Sequence, residues 1–150
     1  METTSIVTQN LTRDFANVRA VDGLTLEVPS GIVFGFLGPN GAGKTTTIRL
    51  LLGLLAPTSG GARVLGCDIA TQADEIRART GSLLEHHGLY ERMTAEDNLE
   101  FYGRVYRMPA ARRQARIREL LDHIGLWERR KDPIRDWSRG MKQKLAVARA

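Results

Sequence analysis

The stretch 32-IVFGFLGPNGAGKTTTIRLLLGLLA-56 changes character at its centre. Residues 32–38 form an almost unbroken apolar run without alternation, the pattern of a strand buried on both faces in a parallel sheet. Further on, Ile48, Leu51, Leu52 and Leu55 recur at i, i+3, i+4 and i+7. They share one face of a predicted helix that stops near the turn-forming APTSGG at 56–61. Between the two lies GPNGAGKT, Gly38–Thr45, which satisfies the G-x-x-x-x-G-K-[S/T] spacing at every fixed position. A strand before it and a helix after it are the context that this phosphate-binding loop requires.

The residue types follow from the chemistry. Glycines let backbone N–H groups turn towards phosphate oxygens, and the start of the following helix adds partial positive charge. Lys44 brings a mobile ammonium to the outer phosphates of a nucleotide, and Thr45 offers a hydroxyl to Mg²⁺. An ordinary glycine-rich turn explains neither Lys44 nor Thr45. The candidate cradle is therefore Gly38, Pro39, Asn40, Gly41, Ala42, Gly43, Lys44, Thr45 and Thr46.

Towards the N-terminus, SIVTQNL and LTLEV alternate apolar and polar residues around the polar ANVRAVDG, which predicts two short strands in a small antiparallel unit. Towards the C-terminus, ARVLG reads as a strand, ADEIRARTG as a polar helix and GSLLE as an apolar strand. The remainder reads as mostly helical. Thr94 opens TAED, a capping-box-like start, with Leu99, Tyr102 and Tyr106 on one face before Pro109 interrupts. Ile117, Leu120, Leu121 and Ile124 mark a second helix that Gly125 is placed to end in the left-handed conformation.

Composition sets the outer limits. With 150 residues, 42% apolar and 26% charged, the chain matches ordinary globular usage and can bury a core. Its longest apolar stretch is broken by Arg49 and Gly53 and falls short of the roughly 20 residues that span a bilayer. The N-terminus lacks the pattern of a secretory signal, and Cys67 is the single cysteine, so a cytoplasmic setting without an internal disulfide is expected. Charge is uneven: residues 1–100 carry 8 Lys/Arg against 12 Asp/Glu, and residues 101–150 carry 14 against 5. Such a basic segment suits nucleic acid, anionic lipid or a partner protein, and equally a solvated helix surface.

Taken together, residues 11–66, from LTRDF through the phosphate loop to ARVLG, resemble the nucleotide-binding domain of ATP-binding cassette (ABC) transporters, and the likeness extends over the whole chain. The resemblance implies an α/β P-loop NTPase fold: an ABC-type ATPase core with an N-terminal antiparallel β unit and an α-helical subdomain. It divides the chain into an ATP-binding core portion at 1–88 and a helical subdomain with the signature helix at 89–150. ATP and Mg²⁺ are the implied cofactors. Phe15 stands where the family carries an aromatic that stacks on adenine, a role any flat apolar face can fill. The segment RTGSLLEHHGLYERMTAEDNLEFYGRVY resembles the family's switch segment and the start of its helical subdomain. There Glu85 replaces the usual Gln, which in the family contacts Mg²⁺ and the attacking water. A carboxylate still offers oxygen to the metal, so Thr45 and Glu85 are the candidate Mg²⁺ ligands. His86 and His87 have no third ligand in view, and no metal site is expected at them.

The stretch WSRGMKQKLAVARA resembles the signature segment, normally LSGGQ followed by a basic, Ala-rich helix. Ser138 and Gly140 match, whereas Trp137, Arg139 and Met141 depart from it. In the family this helix end acts in trans on the γ-phosphate held by a second subunit, which nominates Ser138, Arg139 and Gly140. The SxGM form resembles cassettes of multidrug, antibiotic or ABC-2-type exporters. The implied partners are a transmembrane permease subunit and a second nucleotide-binding domain, with the chain peripheral on the inner face of the membrane; nucleic acid is not the expected partner.

The family's Asp-Glu strand and later switch His do not occur in the sequence. The chain therefore reads as a cassette truncated after the signature, with no complete catalytic set. An ATP-binding module without turnover, and a soluble cassette acting on nucleic acid, stay open as alternatives. The missing strand would also leave IVFGFLG as an unpaired apolar edge, so the chain made alone is expected to be poorly soluble.

Overall fold

The structure is a computed structural model that describes residues 4–83 and 87–150. It forms two compact units that divide after Thr80.

In the first unit, β1 (Thr4–Phe15) and β2 (Val18–Pro29) form an antiparallel hairpin. The expected antiparallel unit is present, but its strands are longer than their apolar alternation indicates. Most of the polar ANVRAVDG belongs to β2, because the chain reverses within Ala16–Asn17, where Ala16 takes φ 44°. Long ladders of main-chain hydrogen bonds carry polar residues along as readily as apolar ones. β3 (Ser59–Val64) pairs antiparallel with the other edge of β1, and β4 (Cys67–Asp68) pairs antiparallel with β3, so the sheet order is β2-β1-β3-β4. Leu65 and Gly66, with φ 51° and 81°, make the tight two-residue turn between β3 and β4.

Two helices cover this sheet. In α1 (Lys44–Leu51) the buried residues are Thr47 and Leu50, while Ile48 is exposed. The apolar face predicted through Ile48 is thus rotated, and the helix ends before Leu55. Leu51 and Leu55 pack only at the margin of a core built around Leu11, Val21, Leu50, Val64 and Ile76. Ile76 comes from α2 (Ala73–Arg79), which lies where the polar helix was expected.

The larger correction concerns IVFGFLG. It is not a strand, and the described sheet is antiparallel throughout. Val33 and Leu37 are 103% and 91% exposed, and Ile32 and Phe34 are also exposed. A central strand needs a hydrogen-bonded neighbour on each edge, and none of the described residues provides one. The expected GSLLE strand is likewise not formed at 81–83, and its remaining residues, Leu84 and Glu85, lie outside the described residues.

The second unit is helical. Thr94 caps α3 (Ala95–Val105): its Oγ1 accepts from the Asp97 N–H at 3.0 Å, as TAED predicts. Leu99 is buried on this helix beside Ala95 and Asn98, whereas Tyr106 stands outside it and is exposed, so the proposed shared face narrows to Leu99 and the half-buried Tyr102. Pro109 precedes α4 (Ala110–His123), and Gly125 follows at φ 70° in the predicted left-handed stop. Two short 3₁₀ turns, Trp127–Arg129 and Ile134–Asp136, lead into α5 (Arg139–Arg149). Leu99, Ile117, Leu121, Ile134, Trp137 and Leu145 form the centre of the second core. Among the described residues no helix is long and apolar enough to cross a membrane.

Candidate nucleotide-binding site

The phosphate loop is held open by backbone geometry at two glycines. Gly41 and Gly43 have φ 85° and 81°, in the left-handed region where a side chain is strained. At Gly43 a Cβ would also lie 2.1 Å from the Ala20 carbonyl oxygen of β2. Only glycine fits there, and this contact seats the start of α1 against the sheet. Thr47 Oγ1 donates to the Gly43 carbonyl at 3.0 Å and, being buried, secures the first helical turn from inside.

Lys44, the first residue of α1, turns its side chain back over the loop. Its Nζ donates to the carbonyl oxygens of Gly38 at 2.8 Å and Pro39 at 2.7 Å. The ammonium thus sits over the segment that its sequence motif assigns to phosphate, held by neutral acceptors that anionic oxygens outcompete. No acidic residue occupies the first turn of α1, so its own first turn leaves the positive potential of its N-terminus in place. Pro39, Asn40, Gly41 and Ala42 are exposed on the same loop, and Thr45 and Thr46 are half-buried in the first turn. A small exposed cradle, one cation and one helix end fit the polyphosphate of a nucleotide.

Phe15 ends β1 and is 40% exposed, so it is no core residue. The Arg13 guanidinium carbon lies 4.5 Å from the ring centroid, which leaves the rest of the aromatic surface to solvent or to a flat base. For Mg²⁺ the donor set is sparse. Glu85 lies outside the described residues, and among the described residues no cluster of three or more His, Cys, Asp or Glu is placed to hold a metal. Thr45 presents one hydroxyl oxygen in the first turn of α1.

In the second unit Ser138 caps α5, its Oγ accepting from the Met141 N–H at 3.3 Å. Ser138, Arg139 and Gly140 are all exposed, and the first turn of α5 contains no acidic residue. Trp137 faces the other way and is 4% exposed in the helical core. The departure from the usual Leu at that place is therefore a change of core side chain, with the helix end still free at the surface.

Three contacts in the two units carry no sequence signal. The Ala20 carbonyl opposes Gly43 only because β2 passes behind the loop. Asn98 is fully buried: its amide donates to the carbonyls of Tyr90 at 3.1 Å and Thr94 at 2.8 Å, and its oxygen accepts from the Tyr90 N–H at 2.8 Å. Glu91 meets Lys142, 51 residues away, at 2.9 Å, and this contact holds the Glu91 carboxyl below the ordinary carboxylate range.

The sequence pattern of the ABC transporter family matches residues 21–150, from within β2 to the end of α5. The chain belongs to the ABC transporter family. This region is its nucleotide-binding domain, and the α/β P-loop fold, with its antiparallel β unit and helical subdomain, is the ABC-type one. Among relatives, the daunorubicin/doxorubicin resistance ATP-binding protein DrrA of Streptomyces peucetius is 42% identical over 146 residues, which cover 97% of this chain and 44% of that protein. The bacitracin transport ATP-binding protein BcrA of Bacillus licheniformis is 41% identical over 147 residues, covering 98% of this chain and 47% of its own length. A solved ATP-binding subunit of an ABC transporter superposes with a TM-score of 0.85 at 28% identity, covering 98% of this chain and 61% of the other. This ABC chain thus spans about half the length of the curated relatives it matches.

Proposed function

We propose that the chain is the ATP-binding portion of an exporter subunit, which couples ATP binding and hydrolysis to export of a small molecule through a separate membrane subunit. The observation that carries this reading is the posture of Lys44 over Gly38 and Pro39 at the head of a helix whose first turn holds no acidic residue. In this reading Gly38–Thr46 wraps the phosphates, Lys44 neutralises the outer ones and Phe15 lies against the adenine. Thr45, with Glu85, serves Mg²⁺, whose chemistry is to bridge and neutralise phosphate oxygens. Ser138, Arg139 and Gly140 act on ATP held by a second nucleotide-binding domain, since an exposed capped helix end free of acidic groups suits an anion.

The ATP-binding core then occupies 1–88 and the helical subdomain 89–150, and the subunit works on the cytoplasmic face of the membrane through a permease. The relatives named for daunorubicin resistance and bacitracin transport support a drug-like or antibiotic cargo. The test is Lys44→Ala in the complete protein, assayed for ATP binding and phosphate release. Loss of both is expected; turnover equal to that of the unmodified protein overturns the reading.

A further inference from the structure

Lys142 lies in the first turn of α5, one residue beyond Met141, and is only 14% exposed although it carries a charge. Its Nζ reaches two acceptors: Glu91 Oε1 at 2.9 Å and the Arg135 carbonyl at 3.0 Å. One ammonium thereby joins three pieces of the helical unit: the segment leading into α3, the 3₁₀ turn before α5, and the capped end of α5 itself. Its own N–H completes the turn by donating to the Ser138 carbonyl at 3.0 Å.

Seven residues further along α5, and so on nearly the same face, Arg149 repeats the arrangement. Its Nη2 donates to the carbonyls of Ser82 and His87, each at 3.4 Å, and its guanidinium lies 4.9 Å from the Tyr102 ring centroid. Two cations separated by about 10 Å of helix therefore hold α5 to Ser82, His87 and Glu91. These residues stand on either side of position 85 in the sequence, and Asn98 pins Tyr90, the neighbour of Glu91. The Arg149 contact is long, at the limit of a hydrogen bond, whereas the Lys142 contact is short and charge-assisted.

We propose that the Glu91–Lys142 pair is a positioning clip that sets the end of α5 bearing Ser138, Arg139 and Gly140 relative to the segment following position 85. The Glu91 side chain is 50% exposed, and an ion pair open to water on one side adds little to stability. What the pair supplies is direction. It fixes α5 at its first turn, where a small rotation displaces the exposed helix end by more than it disturbs the buried Leu145 and Ala146 behind it. Both residues act through α5, to which the pair is joined at Lys142. The clip rests on the proposed role of that helix end in ATP turnover.

The test compares steady-state ATP hydrolysis by the complete protein with that of Glu91→Gln, Lys142→Met and Lys142→Arg, with Lys44→Ala in parallel. Loss of a positioning contact lowers kcat on the order of ten- to a hundredfold in Glu91→Gln and Lys142→Met. KM for ATP stays unchanged, because the phosphate loop is intact, and Lys142→Arg, which keeps charge and donors, retains most of the rate. Unchanged kcat in both Glu91→Gln and Lys142→Met overturns the clip. So does a rise in KM that matches the fall in kcat, or a lowered melting temperature without a change in kcat. Glu91→Gln alters a half-exposed carboxyl and serves as the decisive variant if Lys142→Met fails to fold. Turnover unaffected by Lys44→Ala instead removes the ATPase reading beneath the clip, which separates the two failures.

Discussion

The Ala20 carbonyl oxygen stands 2.1 Å from where a Cβ on Gly43 would lie, so β2 and the phosphate loop meet through backbone alone. Gly43 also has φ 81°, and the two constraints act at one position. Gly43→Ala is expected to destabilise the first unit by at least about 2 kcal/mol, combining left-handed strain with a backbone clash. Gly41, with φ 85° but open space around it, carries only the first constraint. Gly41→Ala should cost about 1 kcal/mol. Urea melts of the two variants check the difference; equal costs would mean that the Ala20 contact is not rigid.

Val33 and Leu37 are almost fully exposed on a segment that has no strand partner among the described residues. Contiguous exposed apolar residues on an unpaired extended segment invite edge pairing between copies. The 150-residue chain made alone should therefore self-associate and bind a hydrophobic dye. Val33→Lys with Leu37→Lys should reduce both effects, as read by light scattering and dye fluorescence. A monodisperse monomer without dye binding would count against this expectation.

Asn98 makes three hydrogen bonds from a fully buried side chain, two of them to Tyr90. Asn98→Leu leaves the Tyr90 N–H and two carbonyls without this partner, and the expected cost is about 1–3 kcal/mol. The loss should appear in denaturant melts, together with faster amide exchange at Tyr90.

Glu100 lies between Arg113 and Arg104, at 2.6 and 2.8 Å. The Arg113 hydrogen bond, then that of Arg104, holds its carboxyl below the ordinary range. A carboxylate whose pKa is lower folded than unfolded contributes stability above its unfolded value, about 4.3, and loses it as pH falls through the folded pKa. The stability difference between the unmodified protein and Glu100→Gln should thus be constant from neutral pH down to about pH 5 and close in stronger acid. Denaturant melts across that range measure it. A difference that persists undiminished in strong acid would place the effect in packing instead of charge.

Thr94 was recognisable as a cap, Gly125 as a helix stop and Gly38–Thr45 as a phosphate loop because each signal lies within a few residues of chain. The family resemblance rested on the same local features and is matched by the pattern over residues 21–150. Spacing alone puts Ile48 and Tyr106 on shared helix faces; α1 turns Thr47 and Leu50 inward instead of Ile48, and α3 ends at Val105, before Tyr106.

The sequence by itself determined the groups that the loop presents, since glycine freedom, one lysine and a helix start are properties of consecutive residues. Only the tertiary structure decided whether IVFGFLG became a strand, because a strand exists through its neighbours, and the four described strands pair among themselves. The tertiary structure alone also brought Glu91 to Lys142, 51 residues apart. Contacts of that kind depend on how helices pack, and packing is a property of the whole core.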